Sequence, residues 1–346
     1  MDEFPWSTLT QIAPNQVRDI VCRAMVMDHV GSAGPIGRRM LSTYLGMAER
    51  EVRAAADALR DEGLLRYQPN GMVLSPEGQG ILPRVRKVCR AFSGANDLEG
   101  ALSDALMIPH VTVVPGDADT SRGVLKECGR AAAQRLRQMV RGGMTVAISG
   151  GSTMYELARQ MTPGPANVRV VPARGGFGTS TAIQADGVAE ELARNMKATC
   201  RLIHLPDGLS AQTLEEMLKL PDIGETIRMM RSADIVVHGI GRADEMARRR
   251  GMNADQLAEL GRLSAQGEAL GDFFDEQGRI VVSSPSVSSE LRTRDPGALT
   301  LWAAAGLSKA SAILAAARHQ PPDSLILDEA AARQILKRLA IRNSKA

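Results

Sequence analysis

From His110 onward the chain repeats one unit, a short apolar run followed by a longer stretch with apolar residues at helical spacing. The apolar runs fall at residues 110–115, 144–149, 168–172, 198–205, 234–238, 299–304 and 324–327. The amphipathic stretches fall at 122–138, 153–161, 185–195, 221–232 and 309–318. Strands that are apolar throughout and alternate with helices predict an α/β fold, a doubly wound, Rossmann-like parallel sheet covered on both faces. Residues 110–340 are therefore read as one ligand-binding domain. Ligands of such sheets gather at the carboxyl ends of the strands, where loops enter helices.

The first quarter of the chain follows a different pattern. Residues 14–30 read as a helix, and Gly34-Pro35-Ile36-Gly37 breaks it. A short helix over 38–45 and a second over 49–62 follow, with Val52, Ala55, Ala56 and Leu59 on the inward face. Two short strands, 64–67 and 72–74, are joined through Pro69-Asn70-Gly71, a sequence suited to a tight hairpin. Helix, turn, helix and hairpin make a winged helix-turn-helix over 14–84, with a linker helix over 85–109. In that module the second helix enters the major groove of double-stranded DNA. Arg38, Arg39, Arg50, Arg53 and Arg66 lie outward on it and suit phosphates or guanine edges. Glu49, at the start of the second helix, belongs to the same candidate surface. Glu51, Asp57, Asp61 and Glu62 share that helix, so a helical dimerisation domain with internally paired arginines fits the same pattern.

Bulk charge adds little. With 42 basic and 39 acidic residues the net charge is +3, so any nucleic-acid binding must come from local placement. Aromatics at 3 % are too few for a protein that stacks single-stranded bases. Cys22, Cys89, Cys128 and Cys200 are widely spaced and not clustered with histidine, which predicts neither a disulfide framework nor a metal site. No apolar run approaches the ~18–20 residues of a membrane span, and Asp2 and Glu3 do not suit a signal peptide. The expected setting is cytoplasmic.

Four strand-end loops carry chemistry. Ser149-Gly150-Gly151-Ser152-Thr153 offers backbone N–H groups, two hydroxyls and a helix start to an anion, although a tight turn over an empty helix cap also fits it. It is neither a Walker A loop nor a dinucleotide fingerprint. Pro172-Ala173-Arg174-Gly175-Gly176 exposes a guanidinium suited to a phosphate, and Gln184 follows it with an amide. Gly267-Glu268-Ala269-Leu270-Gly271 supplies a carboxylate for sugar hydroxyls. Ala304-Ala305-Gly306-Leu307-Ser308-Lys309 places an ammonium at a second helix start, and Arg248-Arg249-Arg250 adds basic charge. Together these loops describe a pocket for a dianionic or bis-anionic small molecule, and the one carboxylate fits a polyol between the anions.

Several segments resemble the SorC/DeoR-type sugar-responsive bacterial repressors, in particular the branch that governs central glycolytic genes. They include Gly34-Pro-Ile-Gly-Arg-Arg, Asn70-Gly71-Met72, Gly116-Asp117, Gly150-Gly151, Val171-Pro-Ala-Arg-Gly-Gly176, Val237-His-Gly-Ile-Gly241 and Ser308-Lys309-Ala310. The similarity runs from about Pro14 to Lys337. It implies a repressor of the operon for the glyceraldehyde-3-phosphate stage of glycolysis, with fructose 1,6-bisphosphate as inducer, no cofactor, and a dimer or tetramer on DNA. It also implies a phosphosugar-isomerase-like effector domain, with effector contacts from Ser152, Thr153, Arg174, Gln184, Glu268 and Lys309, and with Arg249 at the second phosphate. Ala48 stands where these repressors carry a serine cap, which is expected to weaken the second helix by ~1 kcal/mol.

Two enzymatic readings compete. A phosphosugar isomerase or deaminase would use Glu268 or Asp117 as base, with His238 the histidine at a strand end, but it has no use for a winged helix. A nucleotide-binding enzyme would use the Gly150-Gly151 loop, yet the chain has no P-loop lysine.

Overall fold

The computed structural model describes residues 6–92, 94–176, 181–284, 286–288, 291 and 297–343. The chain divides into two compact units, Met1–Leu98 with Thr120–Val124, and Glu99–Asp119 with Leu125–Ala346.

The first unit holds α1 (Trp6–Ile12), α2 (Pro14–Ala33), α3 (Arg38–Leu45), α4 (Glu49–Asp61), β1 (Leu65–Gln68), β2 (Gly71–Leu74) and α5 (Pro76–Phe92). The helices form because their apolar positions recur on one face; Met27, Val30, Leu41, Val52, Ala56, Leu65 and Met72 close a shared core. Gly46, at φ +61°, ends α3 in the left-handed conformation that glycine adopts without strain. β1 and β2 pair antiparallel, and Ile36 adds a bridge to Met72, so the wing is anchored to the loop before α3. Gly71 has no side chain for a concrete reason: a Cβ there would lie 2.7 Å from the Ile36 backbone. These elements are the winged helix-turn-helix that the sequence predicts.

Residues 85–109, read from sequence as one linker helix, are two helices. α5 begins at Pro76 and packs along α2, where Arg86 pairs with Asp28 at 2.9 Å; a separate helix, α6, spans Ala95–Leu106.

In the second unit β3 (His110–Val114), α7 (Arg122–Met139), β4 (Thr145–Ile148), α8 (Ser152–Gln160), β5 (Arg169–Pro172), α9 (Ala185–Met196) and β6 (Thr199–Cys200) lead to α10 (Ala211–Leu218) and α11 (Pro221–Arg231). Then come β7 (Ile235–His238), β8 (Gly241–Arg242), α12 (Ala243–Arg249), α13 (Ala254–Arg262), β9 (Gly267–Ala269), β10 (Asp272–Phe274) and β11 (Ile280–Ser283). β12 (Leu299–Ala303), α14 (Ala310–His319), β13 (Ser324–Asp328) and α15 (Glu329–Asn343) complete it. Seven parallel strands run in the order β3-β13-β12-β7-β4-β5-β6.

Two features depart from the sequence reading. The run at 198–205 forms a strand only at β6 and is interrupted beyond Arg201, because the Asp186 carboxylate takes the N–H groups of Ile203 and His204 and His204 turns to φ +50°; Leu205 then accepts from the Gly176 N–H. A four-stranded antiparallel sheet, β11-β10-β9-β8, occupies a region read as loops; its strands of two to four residues are too short to show a period.

The order of the main sheet fixes where a ligand can enter. From β4 the chain winds outward through β5 and β6; from β7 it winds the other way through β12 and β13. β4 and β7 are therefore neighbours whose following loops diverge, and the crevice lies between those loops.

Candidate functional site

A cavity of about 260 Å³ opens at that crevice. Its walls bring together Gly150, Gly151, Ser152, Thr153, Arg174, Arg249, Glu268 and Lys309, which come from five separate loops or helices. Gly175 and Gln184 are not on its wall. Gly175 packs against the 205–207 backbone, where a Cβ would sit 2.7 Å from the Leu205 carbonyl, and Gln184 stands at the N-cap of α9.

The α8 end is built for an anion. Gly150 lets the loop pass close to α9, since a Cβ would meet the Ile183 carbonyl at 2.5 Å. Gly151 takes φ +115° as the N-cap, with no side chain capping the helix. The first turn of α8 thus presents uncapped N–H groups, the exposed Ser152 and the buried Thr153 hydroxyl to the cavity. Arg174, buried at the end of β5, faces the same space. Burial outweighs the attraction of Glu268 and Asp207 and lowers its pKa to about 10, so an incoming phosphate meets a cation that water solvates poorly.

Glu268 is committed to other protein groups. One carboxylate oxygen accepts from Arg250 at 2.7 Å and from the Gly271 N–H at 2.7 Å, while Arg250 also pairs with Asp207 at 2.6 Å. All three side chains are at most 5 % exposed. Burial opposes the Arg250 charge, but the two carboxylates prevail and raise its pKa. The second oxygen of Glu268 has no hydrogen-bond donor among the described residues. Sequence reasoning placed Arg250 only in a basic run and missed Asp207.

The same wall holds Arg249 and Lys309, together with carboxylates the sequence reading did not select. Arg249 pairs with Glu245 at 2.6 Å, one helical turn back. Burial lowers the Lys309 pKa against the pull of Glu245 and Asp119. Asp119 accepts from Ser308 N at 2.7 Å and from Ser308 Oγ at 3.1 Å. The second helix start, expected to be open to an anion, is therefore held by an internal carboxylate. Asp119 lies after β3, where the strand-end rule applied to Gly116-Asp117-Ala118-Asp119 would have found it; Glu245 follows from its i,i+4 spacing to Arg249.

The isomerase reading needs Glu268 or Asp117 near a second acid–base group. His238 lies on the wall of a different cavity, its ring tilted against that of Trp302 with centroids 5.3 Å apart, and Asp117 accepts from Asp119 N and Leu307 N.

On the first unit, Arg39, Arg50, Arg53 and Arg66 are exposed and Arg38 is half-buried. Arg38, Arg50 and Arg66 make no ion pair among the described residues. Arg39 reaches Glu49 only at 3.8 Å and Arg53 reaches Asp57 only at 3.9 Å. Asp57 and Asp61 instead hold Arg60, a residue the sequence reading passed over, which lines a groove with Arg38, Arg53 and the wing. Ala48 gives α4 no side-chain cap, but its N–H donates to Glu51 at 3.2 Å, half of a capping box.

Residues 20–89 match the family described as "CggR N-terminal DNA binding domain", and residues 90–337 match "Putative sugar-binding domain". A central glycolytic genes regulator of Priestia megaterium is 35 % identical over 318 residues, 91 % of this chain and 93 % of that one. The chain belongs to the central glycolytic genes regulator family. The Bacillus subtilis member is 33 % identical over 91 % of this chain and 93 % of its own length. Among solved structures, a SorC family transcriptional regulator from Enterococcus faecalis is 33 % identical with a TM-score of 0.65, covering 69 % of this chain and 99 % of that chain. The full-length sorbitol operon regulator SorC of Klebsiella pneumoniae, 16 % identical, shares the fold over 93 % of this chain and 99 % of that chain at a TM-score of 0.62. As a member of this SorC-type family the chain is a sugar-responsive, DNA-binding transcriptional repressor and not an enzyme. No helix among the described residues is long and apolar enough to cross a membrane.

Proposed function

We propose that this protein represses a central glycolytic operon, that of the glyceraldehyde-3-phosphate stage, and leaves its operator when fructose 1,6-bisphosphate fills the cavity. One observation carries the reading: a single cavity gathers Ser152, Thr153, Arg174, Arg249 and Lys309, cations and donors from separate loops, with Glu268 on the same wall. Two phosphates joined by a hydroxylated chain match that set of groups. The relatives named as central glycolytic genes regulators favour the same operon class. The protein works in the cytoplasm as a homodimer or homotetramer on double-stranded DNA and needs no cofactor.

A ligand releases DNA only if it binds the DNA-free state better. About 2 kcal/mol of coupling changes operator affinity roughly thirtyfold. The test is an anisotropy titration of labelled operator with Arg174→Ala. Operator binding should persist while fructose 1,6-bisphosphate loses its effect; a variant that still responds at the wild-type concentration removes Arg174 from the site and, with it, this reading.

A further inference from the structure

The Lys309 end of the cavity is already occupied by a charge of the ligand's own sign. The loop that enters α14 wraps around the Asp119 carboxylate: Ser308 donates to it through both N–H and hydroxyl. Gly306 stands at φ +116°, where a Cβ would lie 2.3 Å from Asp119 Oδ1, so the carboxylate fits only because residue 306 has no side chain. The seat is fixed from beneath by Asp328, whose buried carboxylate accepts from Ala118 N at 2.6 Å and Gly306 N at 2.9 Å. Asp119 itself is exposed, and water screens its hold on Ser308. Lys309 and Arg249 line the same wall, so this seat contains the donors a phosphate would use.

We infer that Asp119 is a resident competitor for the second phosphate, and that a bis-anionic ligand reaches the Ser308 donors only by expelling it. A ligand with a single phosphate can settle at the α8 and Arg174 end and leave Asp119 in place. Asp119 thereby sets the preference for one or two phosphates. Its displacement also has a defined destination. The next residues, Thr120–Val124, belong to the first unit, where Gly123 packs against Ser32 of α2. Expelling Asp119 therefore acts along five residues of chain on the DNA-binding unit.

The inference rests on the cavity being a bis-anion site, and the test separates the two. Asp119→Asn in the full chain, with Asp119→Ser as a second variant that also removes the charge, is compared with wild type by calorimetric titration of fructose 1,6-bisphosphate and fructose 6-phosphate. The bisphosphate should bind about tenfold tighter and the monophosphate within about threefold of wild type. Adding Ser308→Ala should cancel the gain. An unchanged or lower bisphosphate-to-monophosphate ratio overturns the competition. Operator affinity of ligand-free Asp119→Asn should be weaker than wild type, and equal affinity overturns the link to the first unit. A wild-type chain that binds neither sugar defeats the functional reading alone. The competitor is then judged with inorganic phosphate in an Arg174→Ala background, where the α8 site no longer holds it; adding Asp119→Asn should bring its stabilisation in at about tenfold lower concentration, and no difference between the two overturns it.

Discussion

The arginines of the two units carry the same charge in opposite surroundings. On the winged helix Arg50 and Arg66 stand in water without an ion-pair partner among the described residues, and Arg39 and Arg53 touch theirs only at the distance limit. In the ligand-binding unit Arg250 is locked between Asp207 and Glu268, and Arg249 is held by Glu245. Exposed guanidinium groups act almost independently and yield to salt. Buried ones act as a network in which removing one member strands the others. DNA binding thus depends on a sum of small replaceable terms, and ligand binding on a few coupled ones.

The sharpest way to break this contrast is Arg250→Met. It leaves Asp207 and Glu268 buried without their ion-pair partner, with Arg174 still nearby in charge range, and breaking such a pair typically destabilises by about 3–5 kcal/mol. Thermal unfolding should show the second unit melting well below wild type, with bisphosphate binding lost because Glu268 is no longer held. A shift of only a degree or two would mean that the triad is wetter and weaker than its burial implies. Replacing all three members with apolar residues should recover stability without recovering ligand binding.

Arg50→Ala probes the other side. An exposed arginine that reads a base edge is worth about 1–3 kcal/mol of operator affinity, and one that meets phosphate flattens the salt slope by about one. Either loss should leave thermal stability within about 0.5 kcal/mol of wild type. Titrating operator at several salt concentrations distinguishes base from phosphate. A change in melting temperature comparable to that of Arg250→Met would erase the distinction between the two sets of arginines.

The basic run Arg248-Arg249-Arg250 shows how far sequence reading reaches. Successive helical residues point about 100° apart, so three neighbours meet three environments. Arg248 lies in solvent beside Asp244, Arg249 borders the cavity, and Arg250 is buried. Composition treats them alike, and only packing tells them apart. The strand-end loops were legible because glycine pairs, helix starts and a parallel sheet follow local rules. The winged helix was legible because its turns carry Gly46 and Asn70-Gly71. Asp207 left no trace, since its importance depends on a partner 43 positions away in an irregular segment. The small sheet β8–β11 was hidden by strands too short to show alternation, although it carries Glu268.

The smallest expected effect bears on how α4 is set before it meets DNA. Ala48 leaves the helix with only the Ala48 N–H to Glu51 half of a capping box. A serine there would accept from a first-turn N–H and complete the reciprocal pair. Ala48→Ser should therefore raise the stability of the first unit by about 0.5–1 kcal/mol, readable as a small rise in its melting temperature. Because the cap precedes Arg50 and Arg53 without touching either, operator affinity should change by no more than a better-ordered helix supplies, about twofold to threefold. Ligand affinity should not move, since the cavity is built wholly from residues of the second unit. A gain in stability accompanied by weaker operator binding would show that α4 must loosen to fit the groove, and the first unit would then be a coupled system like the second.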